Sequence, residues 1–153
     1  MNKRISSFLF DILFALWWGG FTFYAAVVVP KGMTILGDHV KMGLITQSVT
    51  NYLNGIGAVA LITSIFLLML NQSKEKSYLQ AIRWEWLLLV LFQGILFYLH
   101  CKLSEMISIN FSEVLLQEGF YSLHRIYLLI STAIWVLMPI HYYQVKNSLK
   151  QLL

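Results

Sequence analysis

The chain has 153 residues, of which 58% are hydrophobic and only 12% charged. Ordinary soluble domains run at about 45–50% apolar and about 25% charged, so this composition excludes a soluble globular domain, and the length fits one domain, 1–153. The single cysteine, Cys101, excludes an intramolecular disulfide, and with it thiol oxidases that relay electrons through cysteine pairs.

A bilayer-spanning helix needs about 20 mostly apolar residues, and four stretches qualify: 8–29, 45–70, 84–101 and 124–143. Only helices and closed barrels satisfy their backbone in lipid, and these runs are too long and too unalternating for barrel strands. The expected fold is therefore all-α: an integral membrane four-helix transmembrane bundle running up-down-up-down.

The first run, "FLFDILFALWWGGFTFYAAVVV", follows a basic "MNKR" but lacks a small-residue cleavage site. Asp11 also interrupts it, so it reads as a retained helix. Pro30 is expected to end it ahead of a short turn, "KGMTILGDH", in which Asp38 can cap the second helix. From Val40 the helical pattern begins before the span proper. It places Gln47, Thr50, Asn51 and Asn54 at i, i+3, i+4 and i+7, on one face. Amides are costly in lipid without partners, so that stripe is expected to look inward.

A short loop of mixed charge, "NQSKEKSYLQAIR", precedes the third run, in which Gln93 and His100 lie seven apart. The segment 102–119 reads as a helix extension and then an amphipathic turn carrying Glu105, Glu113 and Glu118. In the fourth run His124, Ser131 and Trp135 share a face, and Arg125, about 100° round the helix, is free to snorkel outward.

Loop cations set orientation. With the N-terminus inside, Lys3, Arg4, Lys74, Lys76, Arg83, Lys146 and Lys150 are cytoplasmic, against Lys31, Lys41, Lys102 and Arg125 outside. That bias points to cytoplasmic N- and C-termini in a bacterial inner (plasma) membrane. The basic balance then reflects topology and not nucleic-acid binding. The expected partners are the lipid bilayer and a second copy or a larger membrane complex.

Three polar stripes fall in the outer half and imply a pocket built from Gln47, Asn51, Asn54, Gln93, His100, His124 and Trp135. Two imidazoles, His100 and His124, suffice for axial haem ligation or half of a copper or zinc site, with His39 as a third ligand. The spacing alone carries no metal motif. The inner half shows only Asp11 and His141, which are placed to pair. Glycines 19, 20, 55 and 57 read as helix-packing points, and Trp17, Trp18, Trp84, Trp86, Tyr142 and Tyr143 as interfacial belts. No acid falls at mid-span, which argues against a proton-coupled exporter.

Three patches, "WWGGFTFYAAVVVP", "LHCKL" and "FYSLHRIYLL", resemble a loose group of small four-helix bacterial membrane proteins. The group includes the CopD-like copper-resistance domain and HemJ-type protoporphyrinogen oxidases, and the likeness is closest to uncharacterised relatives. Gly20, Phe23, Tyr24 and Pro30 sit roughly where its G-x-F-Y-x-P region lies, with the proline displaced, and His100 with Lys102 resembles its H-x-K. The resemblance implies the same four-helix layout, with copper, haem or redox chemistry.

The residues and the resemblance together lead to the expectation of a multi-pass protein whose outer pocket holds a metal, haem or quinone-like ligand. It would then act as a redox subunit. The alternative is a non-catalytic subunit or assembly factor whose stripes serve packing and partner binding.

Overall fold

The structure is a computed structural model that describes residues 3–69, 76–109 and 118–150. Every described element is helical: α1 (Lys3–Phe23), a π-helical turn (Tyr24–Val28), α2 (Val29–Leu36), α3 (His39–Met69), α4 (Lys76–Ile109) and α5 (Glu118–Lys150). The continuous α1–α2 rod, α3, α4 and α5 give four helices long and apolar enough to cross a membrane. α3 is central, packed on α1 at one side and α4 at the other, while α5 closes chiefly against α4. The core runs along the bundle through Phe10, Trp17, Leu61, Leu89, Ile134 and Met138. Outside it, Phe8, Leu16, Phe23, Ile62, Leu91 and Leu129 remain exposed, so the flanks are apolar as well.

Both prolines sit inside helical rods, and each is accommodated differently. Pro30 does not end the first helix, contrary to expectation. A proline ring clashes with the carbonyl four residues back and offers it no N–H. Just before Pro30 the ladder widens: the Val29 N–H bonds the Tyr24 carbonyl, five residues back, and Pro30 falls in the first turn of α2. A π-bulge is a known way to shift hydrogen-bond register within a helix. The rod therefore continues to Gly37, whose φ of 57° forms the left-handed cap. Asp38 then caps α3 as expected, its Oδ1 accepting the Lys41 N–H at 3.3 Å.

Pro139 leaves the Trp135 carbonyl without its helical donor. The indole N–H of Trp18 supplies one at 3.2 Å from α1. The two indoles stack at 5.5 Å, the Trp135 N–H donates to Thr22 Oγ1 at 2.8 Å, and the Thr22 hydroxyl donates back to the Trp18 carbonyl. The missing main-chain donor is thus made good by a contact that ties α1 to α5.

The tryptophans depart from the belt expectation for this reason. Trp17 is buried, Trp18 and Trp135 lock two helices, and Trp86 donates to the Leu61 carbonyl; Trp84 and Tyr143 are exposed. α4 and α5 both run longer than 84–101 and 124–143, the expected extension after Lys102 reaching Ile109. The amphipathic turn with Glu113 lies outside the described residues. Of the four glycines, Gly57 and Gly20 contact Trp17 and Leu53, whereas Gly19 and Gly55 face open space.

Candidate functional site

At the end of the bundle where α2, the start of α3, the end of α4 and the start of α5 converge, a cavity of about 340 Å³ opens. Its wall is mostly apolar: Val29, Met33, Met42, Leu103, Ile107 and Phe120. That size and lining match small-ligand sites, which are apolar clefts with a few placed polar groups. The polar groups here include His39, His100 and His124, one from each of three helices, together with Gln47 and Tyr127. Tyr24, buried in the π-helical turn, donates its hydroxyl to Thr46 Oγ1 at 2.8 Å, and Thr46 lines the cavity.

The two half-buried imidazoles are held by aromatic neighbours. His124 stacks on Phe120 at 6.0 Å with 4° between the planes, and His100 tilts against Tyr127 at 6.5 Å. Asn54 donates from Nδ2 to the Tyr127 oxygen at 3.0 Å, which leaves the phenolic proton unspent within the described bonding. Each neutral imidazole offers one donor and one acceptor. The site can thus grip oxygen atoms of either polarity inside an apolar wall.

The structure brings together only part of the expected constellation. Gln47, His39, His100 and His124 line the cavity, and Asn51, which is exposed, lines a shallower groove beside it with Gln47 and His100. Asn54 and Gln93 are buried and tie helices together: Gln93 Nε2 on α4 donates to the Asn54 carbonyl on α3 at 3.1 Å, while the Asn54 side chain reaches Tyr127 on α5. Trp135 turns to α1 and does not line the cavity. Ser131 shares the buried face of α5 with Tyr127, although its Oγ has no hydrogen-bond partner there. Among the described residues, no group of three or more His, Cys, Asp or Glu side chains is placed to hold a metal ion. The three histidines therefore share a cavity without converging on one point. Tyr127 and Phe120, which orient them, were not singled out by the stripes. Their i, i+3 and i+4 relation to His124 is the signal that finds them.

The opposite end of the bundle is more polar than expected, and its pairing differs. Asp11 and His141 do not meet. Lys146 takes Asp11 at 2.9 Å and also donates to Ser7, while the Tyr142 hydroxyl donates to the second Asp11 oxygen. One residue earlier, about 100° round α5, His141 faces the interior instead and meets Ser64 and Glu85. Glu85, on α4, is largely buried.

A scan against protein-family models finds no match, and searches of curated proteins and of solved structures likewise return none. The resemblance to CopD-like and HemJ-like proteins rests on the quoted patches alone.

Proposed function

We infer that this chain is a multi-pass membrane protein whose His100-end cavity binds a flat, quinone-like ring, with the apolar wall taking an attached hydrocarbon tail. The observation that carries the reading is the placement of His100, His124 and Tyr127 on one apolar cavity of about 340 Å³. A quinone needs donors at its carbonyls and a quinol needs acceptors at its hydroxyls. Two neutral imidazoles and a phenol can supply both sets without burying a net charge. A metal site with three protein ligands gains less support, because no group of three or more His, Cys, Asp or Glu side chains is placed to hold a metal ion among the described residues.

Membrane insertion is supported by the four apolar rods and their exposed apolar flanks, since no water-exposed surface tolerates such continuous patches. An up-down-up-down course with both termini cytoplasmic puts the cavity in the outer leaflet. Lys41→Cys in a Cys101→Ser background, labelled by a membrane-impermeant maleimide on intact cells, tests the orientation. Reaction only after permeabilisation would reverse it.

The function is tested on detergent-purified protein by organic extraction and mass spectrometry, with an absorption spectrum and elemental analysis of the same sample. A near-stoichiometric prenylated quinone, lost in a folded His100→Ala/His124→Ala variant, is the expected result. A Soret band or a stoichiometric transition metal would replace the quinone by the haem or metal reading. The second reading, a non-catalytic subunit or assembly factor, is favoured by the Asn54–Gln93–Tyr127 bonding, which binds helices to one another. It predicts an empty cavity and co-purification with a membrane partner.

A further inference from the structure

Glu85 on α4 and His141 on α5 lie far from the cavity and have no part in the proposed ligand site. The His141 side chain is 0% exposed and that of Glu85 15%. Among the described residues three buried side-chain polar atoms lack a hydrogen-bond partner: Ser131 Oγ, His141 Nδ1 and Glu85 Oε2. The last two face one another at 3.9 Å.

The tautomer is set by Ser64. Its one hydroxyl proton donates to the Leu61 carbonyl at 2.8 Å, so Ser64 Oγ can only accept from His141, and the Nε2 at 3.0 Å carries hydrogen. That leaves Nδ1 as the ring atom toward the carboxyl. A bare Nδ1 lone pair facing a bare carboxylate is repulsive and leaves a net buried charge. One proton between them removes both costs, whether it sits on the ring as an imidazolium or on the acid. We propose that Glu85 and His141 form a proton-binding site that holds one exchangeable proton between Oε2 and Nδ1, with Glu85 as its route to the exterior.

Among the described residues, the titratable groups near this end are engaged elsewhere or exposed. α3 contributes only Ser64 and Thr63 near this end, neither of which titrates, and Thr63 donates to its own Val59 carbonyl. On the α1 side, Asp11, Lys146 and Tyr142 are bonded to one another, and Arg83 on α4 and Arg4 on α1 are exposed. The proton uptake is a property of the pair, and coupled groups titrate as a unit.

The test is nitrogen NMR of 15N-histidine-labelled protein in nanodiscs between pH 4 and 9, His141 being assigned by difference with His141→Gln. In the wild type, His141 keeps a protonated Nε2 throughout and its Nδ1 signal titrates. Carbon-labelled glutamate shows the Glu85 carboxyl moving at the same midpoint or staying ionised beside an imidazolium. Glu85→Gln keeps the size and removes the charge, and it should lower the His141 midpoint by more than one pH unit, a tenfold loss of proton affinity. An unchanged midpoint in a folded Glu85→Gln protein overturns the proposal. So does a wild-type His141 that shows no Nδ1 protonation anywhere in that range while Glu85 titrates as an isolated carboxyl.

Discussion

Gly57 offers the most direct test of how α1 and α3 fit together. A Cβ built at this position would lie 2.6 Å from Trp17 Nε1 and 2.9 Å from Cδ1. Ordinary contact begins near 3.4 Å, so the indole would have to retreat by about 0.8 Å. It has little room to do so, being buried and stacked on Phe21 at 5.9 Å. Overpacking of this kind costs about 1–3 kcal/mol, against a gain of up to about 1 kcal/mol from alanine's better helix propensity. Gly57→Ala should therefore destabilise, by up to about 2 kcal/mol when the full propensity gain is realised, and should be about 1–3 kcal/mol less stable than a glycine-to-alanine change that meets no neighbour. Gly55→Ala, two residues away with nothing within 4 Å, is the control and should be neutral or stabilising. Reversible unfolding of the detergent-solubilised protein, followed by tryptophan fluorescence, reads both. The pair Gly57→Ala and Trp17→Leu should be less than additive, because removing the indole opens the space that the methyl needs. If Gly57→Ala is as stable as Gly55→Ala, the close approach of α1 to α3 is wrong.

Three further substitutions probe other contacts by the same unfolding measurement. Trp18→Phe leaves the Trp135 carbonyl without a donor and should cost about 1–3 kcal/mol. In a Pro139→Ala background, where a main-chain N–H becomes available to that carbonyl, the cost should fall to less than half; equal costs in both backgrounds would refute the link. Tyr127→Phe removes the acceptor of Asn54 and should cost about 0.6 kcal/mol and at most about 1.7 kcal/mol, the range of hydrogen bonds between membrane helices. Asp11→Asn should cost less than about 1 kcal/mol and lose its effect at high salt, since the Asp11 side chain is 37% exposed.

The helices were legible because four long apolar runs leave the backbone few alternatives. Gln47, His100 and His124 could be placed at one end of the bundle because face and end can be counted, whereas His39 was expected only as a third metal ligand. What could not be counted was which neighbour each face meets. Asp11 and His141 both mark one end of the bundle, yet a 100° step along α5 hands Asp11 to Tyr142 and Lys146 and sends His141 to Ser64. Asn51 and Asn54 are three residues apart on the stripe, and the stripe is wider than the buried face, so Asn51 is exposed while Asn54 is buried. Pro30 misled in a similar way. A sequence shows that Pro30 and Pro139 lack a donor, but not that a π-helical turn or a distant indole makes good the loss.

The two ends of the bundle are chemically separate, and this can be checked. His141 stands fourteen residues beyond Tyr127 on α5, about 21 Å at 1.5 Å per residue. The buried face over that distance carries Ser131, then Ile134 and Met138, while α4 contributes Leu89 between Gln93 and Glu85, and α3 contributes Ala60 and Leu61 between Asn54 and Ser64. No hydrogen-bonded path crosses this apolar layer among the described residues, so a proton held by Glu85 and His141 has no side-chain relay to the cavity. Any influence of one end on the other must pass through movement of α3, α4 or α5, each of which contributes residues to both ends. Glu85→Gln should therefore change the His141 titration while leaving the ligand extracted with the purified protein at wild-type occupancy, and His100→Ala/His124→Ala should do the reverse. Loss of ligand in a folded Glu85→Gln protein would show that the helices transmit the charge state of one end to the other.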